Sequence, residues 1–160
     1  MDQDEYWNKL VHAYNSNDKR FSEYIVEFKL YNAQWLDYLR KKLLSNDCRV
    51  AFSFLRDLTK SELIQIFEVL IYYASYTHGL TKFFRDLIVD LPRDWVVENI
   101  EKYTHPLLKN EDAYRRVLEL YYFLDSALTF KLAKLALINE NPGIKEVGND
   151  FVDILKDQKS

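Results

Sequence analysis

One cysteine, Cys48, stands in a chain of 160 residues. No internal disulfide can form, a thiolate zinc site is not expected, and a reducing compartment fits. Glycine and proline occur three times each, whereas a sheet-rich fold needs a turn roughly every 8–12 residues. No apolar run approaches the ~18 residues of a membrane span. The opening, MDQDEYWNKL, lacks the basic-then-apolar layout of a secretory leader. A soluble, cytoplasmic protein with no membrane segment is therefore expected. Charge of one sign is also missing: the net charge is only −3, and a general nucleic-acid binder would show a basic balance or face. No HExxH, phosphate loop, EF-hand loop or zinc spacing occurs. His78 lies in a sequence break far from His12 and His105, with no nucleophile motif beside it. No catalytic residue, metal or cofactor is assigned, and the chain is not expected to be an enzyme.

What is present is apolar periodicity and aromatic content. Aromatic residues make up 16% of the chain, among them 12 Tyr and 10 Phe. Trp7, Leu10, Val11 and Tyr14 follow the helical spacing, giving an opening helix over 3–15. A long helix is expected over 21–44. A shorter one follows to 58, with Asn46-Asp47 as its turn and N-cap. Thr59-Lys-Ser-Glu62 reads as a capping box for a helix to about 76. Its interior, LIQIFEVLIYYA, is apolar on nearly every side and needs cover all round. Further helices are expected over 80–91, from Pro92 to 103, and over 113–124, 126–138 and 142–155. The last places Ile144, Val147, Phe151, Ile154 and Leu155 on one side. No strand signal competes.

The chain also repeats itself. Tyr72-Tyr73 and Tyr121-Tyr122 are 49 positions apart, Leu80-Thr81 and Leu128-Thr129 are 48 apart, and Pro92 and Pro142 are 50 apart. Three landmarks in one order at nearly the same separation predict a three-helix unit used twice, and a period of about 40–50 residues marks stacked helical arrays. The stretch NENPGIKEVGNDFVDIL, Asn139 to Leu155, resembles the second helix of a HEAT repeat, with Val147, Gly148 and Phe151 at its apolar and small positions. NDCRVAFSFLRDL, Asn46 to Leu58, resembles it again. LPRDWVVENI departs from it, with Val97 or Glu98 where a small residue is usual. The three-helix units look armadillo-like. The resemblance implies one all-α domain over 1–160: a right-handed α-α superhelix of about eight helices, with units near 21–58, 59–104 and 111–156 and the helix over 3–15 as a cap. It also implies a concave face that binds a protein or peptide.

On the helix after Pro92, Val96, Val97, Ile100 and Tyr103 form the expected buried stripe. Trp95, Glu98, Asn99 and Lys102 form the opposite one. A tryptophan on a polar stripe is either a binding anchor or a residue packed on its neighbour. Arg49, Ser53 and Arg56 form the matching stripe earlier in the chain, next to the basic run Arg40-Lys41-Lys42. Residues 19–60 carry nine basic and five acidic side chains, a net of +4 against −7 for the remainder. This is either a steering surface or a solvated face with cations at a helix end. In each tyrosine pair one ring should be buried and the other partly exposed, because helical neighbours point about 100° apart.

The reading is a non-catalytic protein-interaction module or adaptor. Its partner-binding residues are Arg49, Arg56, Trp95, Asn99 and Lys102, with a basic patch at Arg40, Lys41 and Lys42. A small bacterial immunity-type protein is one version of this. The alternative is a nucleic-acid-binding helical-repeat protein that uses the basic patch.

Overall fold

The computed structural model describes residues 2–46, 48–75 and 79–157. Among them there are eleven α-helices and no strand. They fall into two compact units, Met1–Val69 and Leu70–Ser160.

The first unit holds α1 (Gln3–Asn15), α2 (Phe21–Tyr31), α3 (Trp35–Leu43), α4 (Arg49–Phe54) with a 3-10 turn at Leu55–Asp57, and α5 (Lys60–Gln65). Asp2 and Glu5 close a capping box on α1 through two bonds of 2.9 Å. After α1 the chain reverses at Asn17, whose φ of 52° lies in the left-handed region that asparagine tolerates. α1 packs on α2 and α4, and α3 packs on α2 and α4. Between them Trp7, Phe28 and Phe54 meet with ring centroids 5.8–6.4 Å apart. Such pairs add about 0.5–1.5 kcal/mol beyond the area they bury.

The count of about eight helices is corrected to eleven among the described residues, and two breaks inside expected helices have identifiable causes. The helix expected over 21–44 is cut at Asn32, which is buried and extended (φ −128°, ψ 98°). Its side-chain amide donates to Phe28 O at 2.7 Å, so the side chain takes the last-turn carbonyl and competes with the helix backbone. The helix expected over 59–76 starts as the capping box requires, with Thr59 N donating to Glu62 at 2.8 Å. It breaks at Ile66, where Val69 N bonds Ile66 O instead of Gln65 O. Arg40 reaches over and donates to Gln65 O at 2.7 Å. The N-cap expected at Asp47 lies outside the described residues, and α4 follows Cys48.

The division between the units falls within α6 (Phe67–Ala74). The second unit continues with α7 (Thr81–Val89), α8 (Arg93–Thr104), a 3-10 turn at His105–Leu107, α9 (Glu111–Leu124), α10 (Ser126–Leu137) and α11 (Pro142–Asp157). α9, α10 and α11 pack against one another, and α7 and α8 pack on α9. Asn110 caps α9 and Asp125 caps α10. Backbone N–H donors, burial and Arg93 act on Asp125, and on balance they hold its carboxyl below the ordinary value. On α11 the buried face is Ile144, Val147, Gly148, Phe151, Val152 and Leu155, while Ile154 is exposed. The helix is thus rotated from the expected face, trading Ile154 for Val152.

Candidate functional site

The anticipated contact residues divide between the units. In the first unit Arg49 on α4 and Arg56 in the 3-10 turn are both exposed, and Arg56 borders an open recess with Tyr14, Asp18 and Phe21. The basic run does not present one face. Arg40 donates to Asp37 and Glu68, each at 2.6 Å. The Lys42 ammonium sits over the Tyr38 ring at 5.1 Å, and Lys41 alone of the three is exposed.

In the second unit Val96 and Ile100 of α8 are buried as expected. Val97 and Tyr103 are half-buried, and so is Trp95. The Asn99 amide turns back along its own helix and donates to Trp95 O at 2.8 Å. Lys102 is exposed, with its ammonium 5.4 Å from the Tyr103 ring centre. Tyr121 is buried and Tyr122 half-buried. Tyr73 is half-buried and stacks on Phe84 at 4.7 Å, with Tyr72 exposed beside it. His78 lies outside the described residues.

A groove of about 430 Å³ lies between α7 and α9. α7 contributes Lys82, Arg85, Asp86 and Val89 at i, i+3, i+4 and i+7, the spacing of one helix face. α9 contributes Arg116, Glu119 and Phe123. The Arg85 side chain is only 14% exposed. It donates to Ala74 O at 3.2 Å, to Arg116 O at 3.3 Å and to Glu119 at 3.0 Å. One guanidinium thereby caps the end of α6 and ties α7 to α9. Arg116 donates to the same carboxylate at 3.0–3.1 Å, and Lys82 to Asp86 at 2.7 Å. Over this fixed polar frame Val89 is 49% exposed and Phe123 67% exposed. The signal for both was present in the sequence: each is an apolar residue on an otherwise polar stripe, as Trp95 is.

A second cavity of about 310 Å³ lies between α8, α9 and α10, lined by Leu108, Leu132, Leu135 and Ile138. The Tyr121 and Thr104 hydroxyls meet there at 2.6 Å, and Thr104 also donates to Ile100 O. Burial pushes the Tyr121 phenol up to about 12, against a smaller opposing effect of the Thr104 hydrogen bond. A phenol so placed stays protonated at neutral pH, which suits packing rather than acid–base work. Among the described residues no group of three or more His, Cys, Asp or Glu side chains is placed to hold a metal ion, and no helix is long and apolar enough to cross a membrane.

No protein-family model matches the chain, and no curated protein or solved structure matches it either.

Proposed function

We propose that this protein is a non-catalytic protein-binding module that takes a peptide segment with apolar and acidic residues in the α7–α9 groove. The observation that carries this is the exposed pair Val89 and Phe123 above a polar frame already locked by its own hydrogen bonds. A groove held open in this way is ordered before binding, so little side-chain entropy is lost on association. Its lining counts three cations, Lys82, Arg85 and Arg116, against two carboxylates, Asp86 and Glu119. The balance favours a partner with a carboxylate beside its apolar anchors.

The reading includes the stacked-repeat arrangement. The tyrosine pairs fall on α6 and α9, and Pro92 and Pro142 mark the starts of α8 and α11. This shared order supports a three-helix unit used twice, in the manner of armadillo-like stacks. The single cysteine favours the cytoplasm as its compartment.

Selection of helical peptides from a random library on the intact protein tests the function. Enriched sequences should pair bulky apolar residues with Asp or Glu. Their affinity should fall roughly tenfold or more in Val89→Asp and Phe123→Asp, with melting temperatures unchanged. Peptides that bind these variants as well as the wild type would overturn the assignment of the groove.

A further inference from the structure

The outward face of α2 combines apolar and acidic side chains. Ile25 and Phe28 turn into the first unit, while Val26 is 64% exposed, Leu30 71% and Tyr31 64%. Monomeric proteins expose such side chains singly, and a contiguous patch of them marks an interaction surface. Glu23 is exposed as well, and with Val26 and Leu30 it follows the i, i+3, i+7 spacing of one helix face. Glu27 lies on the same side and is held by Lys9. Lys29, the only cation of α2, is taken up by Glu62, with its ammonium 5.0 Å from the Trp35 ring centre. The ridge therefore presents bulky apolar side chains beside a carboxylate. That is the composition the α7–α9 groove favours. The most accessible cation of the groove is Lys82, whose side chain is 86% exposed. Its surface pair with Asp86 is worth little, so Lys82 can turn to a new carboxylate.

We propose that the partner in the groove is a second copy of this chain: α2 of one copy lays Val26 and Leu30 against Val89 and Phe123 of the next, with Glu23 at Lys82. The inference rests on the reading of the α7–α9 groove as a peptide site and names its occupant. An amphipathic helix with apolar anchors one turn apart is a recurring occupant of such grooves. Two ridges meeting each other would bring acid together with no cation from either α2. Ridge against groove matches both charge and apolar surface. The two faces are unlike, so the association is head to tail. Each added copy leaves one ridge and one groove open, and the series either closes into a ring or keeps growing.

The test is analytical ultracentrifugation of the full chain over a wide range of concentrations. The mass of the wild type should rise with concentration. Leu30→Asp and Phe123→Asp should each weaken assembly roughly tenfold or more, with melting temperatures unchanged because both side chains are exposed. Glu23→Lys should weaken it several-fold, more at low salt than at high salt. Ile138→Asp, which replaces an exposed apolar residue next to α10, should assemble as the wild type does. The deciding sample is an equimolar mixture of Leu30→Asp and Phe123→Asp. One supplies an intact groove and the other an intact ridge, so the mixture should form a species of two chains and nothing larger. A wild type that stays a single chain throughout, a mixture that does not pair, or an Ile138→Asp variant that also loses assembly would overturn the proposal. A wild type that never assembles yet binds selected peptides through Phe123 would overturn this inference and leave the groove assignment standing. Selected peptides indifferent to Val89 and Phe123 would remove the groove assignment itself.

Discussion

Tyr121 is 2% exposed and keeps its hydroxyl 2.6 Å from that of Thr104. Burial raises its phenol from the ordinary 10.0 to about 12. A folded-state value above the unfolded one means that this contribution to stability is intact below pH 10 and is lost as pH rises towards 12. Tyr38 is raised in the same sense, first by burial and then by its hydrogen bond to Asp4. The difference between wild type and Tyr121→Phe therefore isolates Tyr121. The variant should lose about 1 kcal/mol at neutral pH, since Thr104 keeps its bond to Ile100 O, and its stability should fall less steeply above pH 10. Denaturant unfolding at stepped pH measures both. At this scale helical rotation called for one hidden ring in each tyrosine pair without saying which; Tyr121 meets that expectation, whereas of Tyr72 and Tyr73 neither is buried. The sequence could not show that Tyr121 meets Thr104, since that contact depends on how α8 lies against α9. Nor could helical spacing show that Asn99 bonds its own helix rather than facing outwards, although the i, i+4 relation to Trp95 permitted it.

Helices were legible as helices wherever apolar residues recur at three and four, and the capping box at Thr59 and Glu62 marked its start correctly. The breaks were not legible to the same degree. Asn32 ends α2 through its burial, and the Ile66 break carries a contact with Arg40, 25 residues before Gln65 in the chain. The groove between α7 and α9 was missed for a related reason. Periodicity identifies a polar stripe on each helix but not that the two stripes converge. Gly148 is the clearest case of sequence and packing agreeing. It was singled out as the small residue of its helix, and a Cβ there would lie 2.9 Å from both Ala133 O and Ala136 Cβ on α10. α10 and α11 approach closely because this position has no side chain. Gly148→Ala gains about 1 kcal/mol of helix propensity but forces backbone apart, and overpacking costs about 1–3 kcal/mol. The variant should be destabilised. Gly143→Ala meets only side-chain atoms of Asn141 and Glu111 at 3.3 Å and should be close to neutral. Thermal melts of the two variants side by side check the contrast.

Over the whole chain, the distribution of charge bears on the class of partner. Residues 19–60 carry a net +4 within a protein of net −3, which on count alone suggests an anion-binding region. Many of the cations already have partners. Arg20 pairs with Asp18, Lys29 with Glu62, and Arg40 with Asp37 and Glu68. Lys42 lies over aromatic rings. Elsewhere Arg85, Arg93, Arg115 and Lys131 are paired as well. Exposed pairs of this kind add little stability, but each cancels a charge that would otherwise exchange counterions with a polyanion. Phosphate-driven binding grows with the number of unneutralised cations brought to the duplex, and its affinity falls steeply as salt rises. Duplex DNA should therefore show no binding even at low ionic strength. Peptides selected on the groove should bind with weak salt dependence, because Val89 and Phe123 act through apolar contact. Fluorescence anisotropy with labelled duplex and labelled peptide, at two salt concentrations, separates the cases. A duplex that binds tightly at low salt and is released at high salt would move the working surface from the α7–α9 groove to the basic residues of the first unit.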